Sequence, residues 1–180
     1  GTVRMSYAAR RGVCGDGQNI RQTTSRRGEW ESECEPGPVR AVVEVRGGRV
    51  TEVRTYVGGK WRGEGATDLG TVSAPSAARY FLDLAGRGDA IKGDVLSAAV
   101  MADSADNTQP LLRLARNPAV PKGTRRQAVF WLSQEAGDVA AQGLAELVGD
   151  AAEDQDVRKQ AVFALSQPAS VVAGPGGDFY

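Results

Sequence analysis

The side chains whose types and spacing bear on chemistry begin with two cysteines, Cys14 and Cys34, separated by nineteen residues of sequence rich in Gly, Arg and Glu. Two cysteines cannot supply a four-ligand zinc site, and the chain has no histidine to complete one. The absence of histidine also removes imidazole general bases and Ser-His-Asp triads. The cysteines lack the C-x-x-C spacing of a redox motif, which leaves one disulfide in an oxidising compartment or two unpaired thiols in a reducing one. A bridge would pin the loop between them, stabilising the fold by about 3 kcal/mol through loop-closure entropy. Free thiols are a liability outside the cell, so the disulfide and an extracytoplasmic location, periplasmic or secreted, are expected together.

The other chemical motifs are incomplete. Cys14-Gly15-Asp16-Gly17-Gln18-Asn19 lacks the alternating carboxylates and terminal bidentate Glu of a calcium loop. Glu29-Trp30-Glu31-Ser32-Glu33-Cys34-Glu35 places carboxylates close enough for acid–base work, but Arg21, Arg26 and Arg27 stand nearby to neutralise them. Gly58-Gly59-Lys60 and Gly63-x-Gly65 fall short of a phosphate-binding loop. Asp103, Asp106 and Asn107 read as caps between helices. No catalytic residue, metal, cofactor or small-molecule substrate is therefore expected, and the chain reads as a protein that is not an enzyme. Trp30 and Trp61, in polar Gly-rich stretches, and Phe179 and Tyr180 read as a partner surface, because large aromatics dominate interface energetics. Trp131, inside an apolar helical pattern, reads as core.

Net charge is zero over 180 residues, but it is unevenly spread. Residues 1–63 hold twelve Lys and Arg against seven Asp and Glu, while 64–180 hold ten against fifteen. The basic front reads as a solvated face or a docking patch for an acidic partner. It has no compact Lys/Arg run and no aromatic-studded basic strand, so nucleic acid is not expected. No stretch approaches the length of apolar sequence that spans a bilayer, so membrane contact is expected only through a partner.

The elements that must position these residues fall into two styles. Val3, Met5 and Tyr7 alternate with Arg4, Ser6 and Ala8, the pattern of a half-buried strand. Residues 10–37 read as irregular. Val39–Arg46 and Arg49–Val57 form a hairpin about Gly47-Gly48, which supplies the turn's positive φ angles. Together these give an antiparallel β domain over 1–63 and a linker over 64–72. Helical spacing then takes over, from Ser73-Ala74-Pro75 to Gly86, Asp89 to Ala102, Thr108 to Asn117, Pro121 to Gln134, Asp138 to Val148 and Gln155 to Gln167. Residues 168–180 form an extended Gly/Pro-rich tail.

Thr124-Arg125-Arg126-Gln127-Ala128-Val129-Phe130-Trp131-Leu132-Ser133-Gln134 returns thirty-three positions later. The second copy is Val157-Arg158-Lys159-Gln160-Ala161-Val162-Phe163-Ala164-Leu165-Ser166-Gln167, with eight of eleven residues identical. A period of this length marks stacked units that bury their apolar faces only against each other. The string Asp156 to Leu165, with its partner Thr124 to Leu132, resembles the HEAT-repeat family, in particular its short repeats of the phycobilin-lyase type. The resemblance covers residues 106–167 well and 75–103 loosely. Lys122-Gly123-Thr124 in place of an acidic start makes the first copy less typical. It implies helix pairs, with Arg125, Gln127, Arg158 and Gln160 in structural roles between units. The open end after Gln167 is expected to meet a partner, with the tail extending onto it.

The fold class read from the chain is α+β, a small antiparallel β domain followed by a short α–α solenoid of HEAT-like pairs over 73–167. The expected function is a non-enzymatic protein–protein interaction or scaffold module. Two narrower readings are an accessory subunit of a larger membrane-associated complex, electron-transfer or photosynthetic in type, and a phycobilin-lyase-like helper enzyme. Pigment co-purification would distinguish the last.

Overall fold

In a computed structural model of the chain, residues 1–22, 34–93, 95–103, 106–135 and 138–166 are described. Trp30, Arg26, Arg27, residues 29–33 and the tail with Phe179 and Tyr180 lie outside them. The strands are Thr2–Tyr7 (β1), Val13–Gly15 (β2), Ile20–Gln22 (β3), Glu35–Pro36 (β4), Val39–Arg46 (β5), Arg49–Val57 (β6) and Thr67–Thr71 (β7). The helices are Ala74–Gly86 (α1), Val95–Val100 (α2), Thr108–Arg116 (α3), Lys122–Gln134 (α4), Asp138–Gly149 (α5) and Gln155–Ser166 (α6). The chain divides into two compact units, Gly1–Leu84 with Asp89–Ala105, and Ala85–Gly88 with Asp106–Tyr180.

The first unit is built on a four-stranded sheet of order β6-β5-β1-β7. β5 pairs antiparallel with both β1 and β6 about the expected Gly47-Gly48 turn. Alternation places Met5, Tyr7, Val39, Ala41, Val43, Val53 and Val57 in the core. The two helical segments of this unit cover them. The Tyr7 ring stands 6.2 Å from that of Phe81 in α1, and its hydroxyl donates to the Ala98 carbonyl in α2 at 2.7 Å. Burial raises the Tyr7 phenol pKa, so it stays a donor. The opposite face carries Arg4, Arg40 and Arg54, with the 58–66 loop lying over Arg4, Arg40 and Val42.

Four features depart from the sequence expectation. The segment read as a linker contains β7, which pairs in parallel with β1 along the register Val3–Thr67 and Arg4–Asp68. All five residues of β7 are exposed, so it carries no alternation by which to read it. The helix expected from Asp89 begins only at Val95. Before it, Lys92 takes a place on the edge of β6, donating to the Thr51 carbonyl at 2.9 Å and accepting from the Val53 amide at 3.0 Å. Gly93 makes this possible with φ of 95°, and a Cβ there would overlap the Val53 oxygen. In addition, the helical residues 74–84 and 95–100 group with the sheet rather than with the later helices.

The segment read as irregular forms a second small sheet, β3-β2-β4. Cys14 on β2 is joined to Cys34, beside β4, with Cα atoms 5.3 Å apart. This sheet meets the end of β6 through bare backbone. A Cβ on Gly58 would overlap the Gly15 oxygen, and one on Gly15 would overlap the Val57 oxygen. The Gly17 amide donates to Val57 at 2.9 Å across the same crossing. Asp16 closes the loop beyond it, accepting from the amides of Asn19 and Gln18 at 2.7 and 2.9 Å. Those bonds lower its pKa to about 2.

Gly93→Ala is expected to lower the unfolding free energy by about 2–3 kcal/mol, from a strained backbone and a steric clash, measured as a shift of the urea midpoint. Replacing both cysteines by serine is expected to cost roughly 3 kcal/mol in the same assay, and the intact chain should weigh two hydrogens less than its reduced form.

Candidate interaction surface

The second unit consists of two helical hairpins, α3 with α4 and α5 with α6, stacked so that α4 lies against α6 and α3 against α5. The stack grows from the eleven-residue repeat, which supplies most of α4 and of α6. Within the repeat, Arg, Val, Leu and Ser fall at positions i, i+4, i+7 and i+8, one stripe along a helix. On α4 the stripe is Arg125, Val129, Leu132 and Ser133; on α6 it is Arg158, Val162, Leu165 and Ser166.

The two stripes have identical residues and opposite environments. Arg125, Val129, Leu132 and Ser133 are 8%, 0%, 0% and 4% exposed. Arg158 is half-buried and Ser166 exposed, while Val162 and Leu165 are 53% and 41% exposed. The first stripe is covered because α4 packs against α5 and α6. A different side of α6 is buried, with Val157, Ala161 and Ala164 in the core; of their counterparts on α4 only Ala128 is buried, Thr124 and Trp131 being half-buried. Among the described residues the two stripes therefore differ in their neighbours: α4 has a second hairpin stacked on it, and the exposed residues of α6 have none.

Arginine chemistry repeats along with the stripe. Arg125 Nε donates to the Ala115 carbonyl and Arg158 Nε to the Val148 carbonyl, each ten residues back and each at 3.1 Å. Each guanidinium thus ties its helix to the C-terminal end of its own hairpin's first helix, where carbonyls lack intrahelical partners. Arg125 goes further and forms an ion pair with Glu153, in the turn between α5 and α6. Both side chains are nearly excluded from solvent, so each is the other's compensation for lost hydration. Arg158 has no carboxylate partner among the described residues.

Two exposed pairs clip the same junction. Arg116 on α3 meets Glu146 on α5 at 3.1 Å, and Lys122 on α4 meets Asp156 on α6 at 2.8 Å. The hydrogen bond to Lys122, then its charge, lowers the Asp156 pKa, and the same bond raises that of Lys122. The start of α6 is also capped, with the Asp154 carboxylate accepting from the Asp156 and Val157 amides at 2.9 and 3.3 Å. Pro121 opens α4 with no side-chain cap, matching the weaker start of the first copy.

The other residues selected from the sequence are scattered over the two units. Gln127 is exposed and Gln160 half-buried, and neither side chain has a hydrogen-bond partner among the described residues. Trp61 is half-buried with the guanidinium carbons of Arg4 and Arg40 at 4.9 and 5.3 Å from its ring centroid. Its ring is engaged by the chain's own cations. Trp131 is half-buried against exposed Phe130 on α4, ring centroids 5.1 Å apart. Glu153 has no distinguishing signal in the sequence, since it sits in a turn among other acidic residues and acquires its role only when the hairpins stack. Among the described residues no cluster of acidic or cysteine side chains suits a metal ion, and no helix is long and apolar enough to cross a membrane.

No protein-family model, curated protein or solved structure matches this chain.

The repeat permits a controlled comparison. Leu132→Ala is expected to cost about 2–5 kcal/mol of stability, and Leu165→Ala, at the equivalent position, less than about 1 kcal/mol, both read from denaturant unfolding. Glu153→Ala is expected to cost about 3 kcal/mol by leaving Arg125 buried without its partner. The Lys122–Asp156 pair should be sensitive to acid. Asp156 has a lowered folded-state pKa, so its contribution is present above the ordinary value of 3.8 and is lost as pH falls through the lowered one. Lys122→Met should flatten that acid limb in a pH series of melting curves.

Proposed function

We propose that the protein is a non-enzymatic protein–protein interaction or scaffold module whose second unit is a short HEAT-like array. The observation that carries this reading is the uncovered copy of a stripe whose twin is fully buried. Val162 and Leu165 keep the residue types of a packed interface while facing solvent, and apolar side chains placed together in this way mark association surfaces. The repeated arginine-to-carbonyl bonds support the HEAT-like assignment, since they recur with the thirty-three-residue period. The disulfide supports an oxidising, extracytoplasmic setting. In that setting the module would serve a larger assembly, peripheral on a membrane complex in the narrower form of the reading.

Gentle purification of the native chain, followed by chemical cross-linking and mass spectrometry, tests this. The expected result is a stoichiometric complex with cross-links from the partner to this chain. A lone monomer would overturn the reading, and a co-purifying pigment would favour a lyase-like helper instead.

A further inference from the structure

We infer that the stripe Arg158–Val162–Leu165–Ser166 is the docking site for a helical hairpin of a partner protein that carries a carboxylate in the turn between its two helices. The inference rests on the interaction-module reading and specifies the occupant. Its basis is the cover that the same four residue types receive on α4. There, Val129 and Leu132 are buried on a helix that packs against both α5 and α6, and the turn of that hairpin delivers Glu153 to Arg125. α6 presents the same apolar pair at the same spacing. Arg158 is held by the same bond to a carbonyl ten residues back, with its remaining donors lacking a carboxylate among the described residues. A half-buried guanidinium fixed at one nitrogen beside two exposed aliphatic side chains selects an apolar helix with an acid near its start. An extended or basic segment would leave either the aliphatic or the charged part of the site unmatched.

A second copy of this chain is a poorer occupant on charge grounds. Thirty-three residues before Glu153 stands Val120, so the turn of the first hairpin has no carboxylate at the matching position. The turn that does have one has its Glu153 buried against Arg125. Residues 167–180 contain three Gly and two Pro, a composition unlike that of α5 and α6. A partner hairpin with an acidic turn satisfies both parts of the site.

The test uses the full chain and a peptide of residues 138–166, cyclised end to end and shown by circular dichroism to be helical before use, which carries the α5–α6 hairpin that packs on α4. Binding is measured by calorimetry and, in parallel, the chain's self-association by sedimentation. The expected result is one peptide bound per chain. Leu165→Arg should weaken binding by at least about tenfold, the scale of a lost apolar contact replaced by a charge. A peptide with Glu153→Lys should bind the unchanged protein similarly poorly and regain affinity for the Arg158→Glu variant, whose fold is verified by its melting curve. No binding, or binding indifferent to both substitutions, overturns the inference. Binding seen only after deletion of 167–180 assigns the surface to the chain's own tail. Self-association abolished by Leu165→Arg assigns it to a second copy, and both of these outcomes also overturn it. A native complex whose cross-links avoid α6 would overturn this inference while leaving the interaction-module reading intact.

Discussion

A helical hairpin can cover one side of each of its helices with the other; the remaining apolar side needs something from outside the hairpin. That constraint organises the second unit. The Arg125 stripe on α4 is buried where α5 and α6 pack against that helix, and the Arg125–Glu153 pair makes the stacking specific. An ion pair so deeply buried is no cheap source of stability, since both groups give up hydration to form it. What it supplies is register. A carboxylate in the turn can meet the guanidinium in only a narrow range of stackings, and the exposed Lys122–Asp156 and Arg116–Glu146 pairs agree with that one. The same rule, applied to α6, leaves Val162 and Leu165 facing solvent.

The first unit solves a different problem. A small sheet with one apolar face must cover it, and α1 and α2 do so through Tyr7, Phe81 and Ala98. The other face is finished with cations. Arg4 lies over Trp61 and pairs with Asp68 on β7 at 2.9 Å, while Arg62 lies over Tyr56. The basic excess of this part of the sequence is thus partly consumed by its own aromatic rings and by Asp68. The disulfide adds a second constraint. It holds β4 beside β2, and the glycines at 15, 17, 58 and 59 let this small sheet approach β6 at backbone distance.

Much of the candidate surface is legible before folding. The thirty-three-residue period marks the helices, and arginine recurs at the same place in each copy, where it binds a carbonyl of its own hairpin. The β5–β6 hairpin is legible because two glycines sit between two alternating runs. Other parts are silent for physical reasons. β7 has no buried face, so no alternation betrays it, and its place is decided by pairing with β1 and by the Arg4–Asp68 bond. The spacing overextends α2 because apolar residues continue back through Ile91, whereas Gly93 and a strand edge at β6 claim the preceding residues. Glu153 is one acidic residue among several in its turn, and nothing local separates it from Asp150 or Asp154.

By itself, then, the sequence determined the secondary structure of the repeat, the turn at Gly47-Gly48 and the identity of the residues at each repeat position, because periodicity and backbone preference are local properties. Tertiary structure alone decided which copy of an identical stripe is core and which is surface. Burial depends on what lies next to a residue, and Leu132 and Leu165 stand at the same place in motifs identical at eight of eleven positions. It also decided that the first two helices belong with the sheet, since an amphipathic helix specifies that it needs an apolar partner without specifying which one.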